Sequence, residues 1–162
     1  MSRFGTLRVL LVAVCAVVAV ITAVSAQNSD GDRIRRERLV WQVVGEHIDA
    51  LNRCDLRRLM AQHPPTVHFF LPNGHEARGR AAVEEVYKGL CDRRGRQPVA
   101  PFHIKLLSSH RLGSTLFVRW RFTSRALTRP YDGASAFGTA GRHLVREVAT
   151  FDGSALPYKV RE

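Results

Sequence analysis

The order of elements along the chain predicts an α+β fold, in which about three N-terminal helices cover a curved antiparallel sheet rolled into a cone. Three observations carry that prediction. Helical periodicity governs the chain as far as Leu90, and period-two alternation takes over from Phe102. Between them, the stretch from His47 to Tyr87 holds a helix end, a short second helix, a strand running into Pro72-Asn73-Gly74, and a third helix opened by Gly79. Helices stacked on a strongly curved sheet leave a pocket between the layers, so candidate functional residues are sought on the pocket walls.

The N-terminal 26 residues are set apart from this domain. Arg3 and Arg8 precede an apolar run from Val9 to Val24, and Val24-Ser25-Ala26 supplies the small residues accepted at a signal-peptide cleavage site. Cleavage after Ala26 is expected, giving a secreted or periplasmic protein that meets the membrane only transiently through its signal peptide. The alternative is a membrane anchor left uncleaved, because the run is only slightly shorter than the roughly 18 to 20 residues that span a bilayer. Val14 is too bulky for a usual lipoprotein processing site at Cys15. Residues 27–33 are expected to be a disordered mature N-terminus, and residues 34–162 a single domain of ordinary size.

Leu39, Val43, Val44, His47, Ile48 and Leu51 recur at helical spacing, opposite Arg35, Arg38, Gln42, Glu46 and Asp49. Asp55 is placed to cap a second helix through Ala61, which Pro64-Pro65 stops. Strand character follows from Thr66 to Leu71, with Val67, Phe69 and Leu71 on one side. Ala82, Val83, Val86, Tyr87 and Leu90 form the apolar face of the third helix. Phe102, Ile104 and Leu106 alternate with polar neighbours, as do Leu116, Val118, Trp120 and Phe122 beyond a turn at Leu112-Gly113-Ser114. Pro130 to Gly141 is rich in Gly, Ala and Ser and reads as a loop or a strand bulge. His143 to Phe151 is the next strand, Asp152-Gly153 a hairpin turn, and Leu156 to Val160 the strand that closes the sheet.

The chain carries a formal charge of +11, and loss of Arg3 and Arg8 with the signal segment leaves 23 basic against 14 acidic residues, or +9. That balance favours anionic partners in general. The arginines are dispersed, however, with no recognition helix, zinc spacing or aromatic stacking motif beside them, and no specific nucleic-acid partner is expected. Cys54 and Cys91 form an even pair outside the signal segment, and in an exported protein they are expected to be bridged. Two unpaired thiols at helix ends are the alternative.

The pattern Ala50-Leu51-Asn52-x-x-Asp55, the strand ending in Pro72-x-Gly74, Gly79-x-x-Ala82-Val83 leading to Tyr87, and the late Phe151-Asp152-Gly153 together resemble the nuclear transport factor 2-like superfamily. Within it, the pattern resembles the SnoaL-like and ketosteroid-isomerase-like domains. The resemblance covers Leu39 to Glu162 and implies a conical α+β roll with an apolar cavity, often in a homodimer formed through the sheet faces. It does not fix an activity, since the fold hosts isomerases, cyclases, dehydratases and non-catalytic domains. Ketosteroid isomerases use an Asp base with a Tyr and a protonated Asp as oxyanion hole. Carried over by motif, the base falls on Leu71, which cannot take a proton, while the tyrosine falls on His47 and the second carboxyl on Glu147. Steroid isomerisation by the usual route is therefore not expected.

Glu147 shares strand parity with His143, Val145, Ala149 and Phe151, which points it toward the cavity if Phe151 faces inward. Among Trp120, Phe69 and Leu71 its carboxyl would resist ionisation, and with His47 opposite it is the candidate for acid-base proton transfer. Pairing of Glu147 with Arg119 or Arg146 is the alternative. The expected ligand pocket comprises Trp41, Phe69, Leu71, Tyr87, Trp120 and His143. His63 and His75 sit beside turns, and His68, His103 and His110 fall on outward-facing or solvent positions. No helical zinc spacing, nucleophile elbow or phosphate loop is present, so no metal and no cofactor are expected. Two functions remain: a domain binding a small, mainly apolar molecule, or an isomerase, dehydratase or cyclase using Glu147 and His47.

Overall fold

A computed structural model describes residues 31–72, 74–94 and 98–159. The expected signal segment and its expected cleavage site lie outside them. Among the described residues no helix is long and apolar enough to cross a membrane. Of the N-terminal unit Met1–Glu37, residues 31–37 are described and are helical, and the compact unit Arg38–Glu162 carries the fold described below.

Residues 31–52 form α1, which within the compact unit buries Val40, Val43, Val44, His47, Ile48 and Leu51 as one stripe. The helix ends where Cys54 adopts a left-handed backbone (φ 51°), and the Asp55 carboxylate accepts from the Arg58 amide at 3.0 Å to start α2 (Leu56–Ala61). Pro64-Pro65 then redirects the chain into β1 (His68–Phe70), shorter than its apolar alternation suggested, and β2 (Glu76–Arg78) pairs antiparallel with it. Gly79, at φ 82°, turns the chain into α3 (Arg80–Cys91), and its amide bonds the Val67 carbonyl at 2.8 Å.

Four longer strands complete the sheet: β3 (Phe102–Leu112), β4 (Thr115–Ser124), β5 (Tyr131–Ala140) and β6 (His143–Ala149). The order β2-β1-β6-β5-β4-β3 makes one six-stranded sheet. It is mixed rather than wholly antiparallel, because β1 runs parallel to β6 with Phe69 opposite Glu147. Register shifts between Leu106 and Ser108 and between Gly138 and Thr139 mark bulges, which bend the strands over the helices. The Asn52 side chain ties α1 to edge strand β3 by bonding both backbone groups of Ile104, at 3.0 and 2.6 Å.

Two expectations are corrected. Tyr131–Ala140, within the stretch read as a loop or a strand bulge, is a central strand: the indole ring of Trp120 lies over Gly133 on the neighbouring strand, and any β-carbon there would overlap it. The small residues that resemble a loop are there to accommodate a large ring. Where a closing strand was expected from Leu156 to Val160, the described residues make a single bridge between Leu127 and Tyr158, after a 3-10 turn (Gly153–Ala155) in which Asp152 accepts from Ser154 at 2.9 Å. Pro157 has no amide to donate, which disfavours a longer ladder.

A disulfide joins Cys54 to Cys91 across 37 residues, with Cα atoms 5.6 Å apart, and so fastens the α1–α2 turn to the end of α3. Replacing both cysteines by serine is expected to lower stability by about 3 to 4 kcal/mol in chemical denaturation, the cost of releasing a loop of this length. A thiol titration giving two free thiols in the unreduced, folded protein would refute the bridge.

Candidate functional site

The inner face of the sheet and the overlying helices enclose a cavity of about 290 Å³. Phe69, Leu71, Tyr87, Trp120 and Glu147 line it as expected, together with Phe137 and Phe151. Among the described residues, no lysine or arginine lines it.

Glu147 lies on β6, facing inward and almost fully buried. The Tyr87 hydroxyl, brought over from α3, donates to its Oε2 at 3.0 Å. The ring of His47 on α1 closes the group, with Nε2 at 3.3 Å from the Tyr87 oxygen and 3.7 Å from Glu147 Oε2. The Gln62 amide sets the tautomer. Its Nε2 donates to the Val43 carbonyl at 3.3 Å, which leaves its oxygen to accept from His47 Nδ1–H at 3.1 Å. His47 Nε2 is then an unprotonated acceptor aimed at Tyr87 and Glu147.

His63 joins this cluster, although its place beside a proline pair marked it only as a turn residue. It is fully buried, its Nδ1 bonds the Leu144 carbonyl at 3.1 Å, and its ring stacks on Tyr87 at 5.7 Å between centroids. Gln62 was likewise missed. Neither position carries a helical or strand periodicity that would have announced burial.

The structure separates other expected pocket residues from the cavity. Trp41 is 39 % exposed, because the helical row it shares with Gly45 points away from the stripe through Val40, Val44 and His47. His143 is exposed as well: the bulge at Val145 reverses the parity of β6, so that Leu144 faces inward on one side of it and Glu147 and Ala149 on the other. His47 is not part of the cavity lining either and stands behind Tyr87. No arginine binds Glu147 among the described residues; its partners are Tyr87 and His47.

Burial sets the protonation of the cluster. Loss of water pushes the Glu147 carboxyl up to about 8, an effect the Tyr87 hydrogen bond only partly opposes. Burial, helped by the neighbouring His63, lowers His47 to about 3, while Gln62 acts in the other direction. His63 is also lowered, chiefly by burial, and Tyr87 is raised by burial and by the carboxyl beside it. Near neutral pH the cluster therefore consists of a carboxylic acid, a phenol and two neutral imidazoles. Such a cluster can offer a hydrogen bond or a proton from Glu147 to a molecule in the cavity. It has no group at Leu71 to remove one.

The profile of the SnoaL-like domain family matches residues 44–151, and the chain belongs to that family. Among solved structures, a candidate SnoaL-like polyketide cyclase from Jannaschia sp. superposes with a TM-score of 0.60 at 11% identity, covering 73% of this chain and 88% of that one. A candidate ketosteroid isomerase from Kribbella flavida gives 0.59 at 15% identity, with 77% and 86% covered. A cystatin-fold protein from Novosphingobium aromaticivorans gives 0.59 at 13% identity, with 69% and 97% covered. At these identities the likeness establishes the nuclear transport factor 2-like, cystatin-like fold. No functionally curated protein matches the chain.

The two buried groups give stability opposing pH dependences. The folded Glu147 carboxyl binds its proton more tightly than the usual 4.5, so stability falls as pH rises from about 4.5 to about 8. The folded His47 binds its proton less tightly than the usual 6.5, so stability falls as pH drops from about 6.5 toward 3. Between 4.5 and 6.5 the slopes of Glu147 and His47 oppose each other, and His63, lowered in the same direction as His47, adds to the acid arm. Above about 6.5 denaturation is expected to show an alkaline arm of up to about 1.4 kcal/mol per pH unit that Glu147→Gln flattens. An alkaline arm unchanged in that variant would show that Glu147 ionises normally.

Proposed function

We propose that this SnoaL-like domain is exported and binds a small, neutral, mainly apolar molecule in its cone. One observation carries the reading: a cavity of about 290 Å³ is open in the core and lined by aromatic and aliphatic side chains, with no basic residue among them. An anionic ligand would lose its hydration there without gaining a cation, whereas a neutral ring would exchange water for apolar contact. The apolar run before Ala26 supports export. The outer face of the sheet, where Phe117 and Val148 are each 44 % exposed, supports a homodimer between two copies of this face.

Native mass spectrometry of the protein purified from its own host is expected to show a retained small molecule together with the dimer mass. A ligand-free protein that also fails to take up the neutral dye 1-aminoanthracene would overturn the binding reading.

A second reading is favoured by the hydrogen bond from Tyr87 to Glu147 at 3.0 Å, which holds a protonatable carboxyl at the cavity wall. In that reading Glu147 transfers a proton to or from the bound molecule in an isomerisation, dehydration or cyclisation, and His47 acts through Tyr87 and Glu147 rather than on the substrate. The structural relatives named as a polyketide cyclase and a ketosteroid isomerase are compatible with such chemistry. For a substrate so identified, Glu147→Gln is expected to lower kcat by about 100-fold or more while the thermal transition persists. Undiminished turnover would remove Glu147 from the mechanism.

A further inference from the structure

On the wall of the same cavity, Ser135 presents a hydroxyl whose hydrogen has no acceptor among the described residues. Ser135 lies on β5 and is 7 % exposed. The Trp120 indole N–H donates to its oxygen at 3.0 Å, which occupies one lone pair and fixes where the oxygen sits. A serine hydroxyl in that position still has one hydrogen to give. Its inward-facing surroundings are apolar: Trp120, Phe137, Ala149 and Phe151. A buried donor left unpaired is costly, and the open side of this one is the cavity.

The register shows how room is made for an acceptor. Ser135 pairs with Ala149 across β5 and β6, so two small side chains stand opposite each other among large rings and form a notch. Phe137 pairs with Glu147 one step along the same strands. Ser135 and Glu147 are therefore diagonal neighbours on one face of the sheet, about 7 Å apart. Two polar groups at that spacing on an otherwise apolar wall define an orientation for a bound molecule as well as a volume.

We propose that Ser135 is a ligand-binding residue, its hydroxyl donating a hydrogen bond to a carbonyl or ether oxygen on a neutral, ring-bearing molecule in the cavity. Trp120 is then a positioning residue as well as a wall, because its N–H directs the serine hydrogen away from the indole and toward the ligand. The inference rests on the binding reading above and adds to it a chemical class: apolar molecules with an acceptor oxygen over hydrocarbons of the same shape.

The test uses benzophenone and diphenylmethane, which share their two rings and differ in one carbonyl oxygen, measured by equilibrium dialysis against the full domain. Benzophenone is expected to bind about tenfold more tightly, the advantage of one buried hydrogen bond. In Ser135→Ala that preference is expected to fall below about threefold, with the affinity for diphenylmethane retained. Ser135→Ala also deprives the Trp120 N–H of its acceptor, so Ser135→Thr, which keeps the hydroxyl, is measured beside it and is expected to keep the preference. Equal affinity of the native domain for both probes, or a preference that survives Ser135→Ala, would overturn the role of Ser135 and leave the binding reading standing. Failure of both probes to bind would overturn both.

Discussion

The interior of this domain depends on one constraint: a carboxyl, a phenol and two imidazoles are buried together, and burial favours the uncharged form of each. The Tyr87 hydroxyl donates to Glu147, His47 donates to Gln62, and His63 bonds the Leu144 carbonyl through Nδ1. Each link comes from a different element, so the hydrogen bonds also set how α1, α2 and α3 lie against β6. A polar network of this kind stabilises one arrangement when complete and penalises every arrangement in which a member loses its partner. Helices packed on a sheet by apolar contact alone could slide; these are held in register by directional bonds.

The same neutrality shapes what the cavity can accept. With no lysine or arginine on the wall among the described residues, nothing described there would answer an anion. With a protonated carboxyl and a serine hydroxyl on the sheet face, an oxygen acceptor would find a donor. Leu71 lies on the lining and offers no base, which leaves the cavity able to hold and polarise a molecule more readily than to deprotonate it. Binding and acid-assisted chemistry draw on the same wall, and they differ in whether Glu147 ever releases its proton.

Much of this was legible in the sequence, for physical reasons that differ by element. The buried stripe of α1, including His47, follows from a 3.6-residue period, and the inward positions of β4 from a period of two. Glu147 faces inward as parity with Ala149 requires. The same parity failed for His143, because a bulge at Val145 inserts one extra residue and such insertions leave no mark in an alternating pattern. Trp41 was expected in the pocket as an aromatic at the edge of the buried stripe, whereas its position on the helix turns it outward. β5 escaped recognition because Gly133, Ala134 and Ala136 resemble a linker when read alone. Their smallness makes sense only beside the rings of the neighbouring strand, and that adjacency is a tertiary fact. Ser135, hidden in that segment, was missed with it.

The parallel pairing of β1 with β6 has a consequence for how the molecule comes to be folded. Phe69 and Glu147 are neighbours in the sheet although roughly eighty residues of chain separate them. During synthesis, the helices and the first hairpin emerge long before the strand that completes their packing surface. Contacts so distant along the chain carry a high loop-closure cost and slow the folding of domains that rely on them. Until β6 docks between β1 and β5, the cone is open along a seam and Tyr87 has no carboxyl to meet. The cavity is thus among the last features to form, and a chain truncated before Glu147 would be left with an exposed half-sheet and a liability to aggregate.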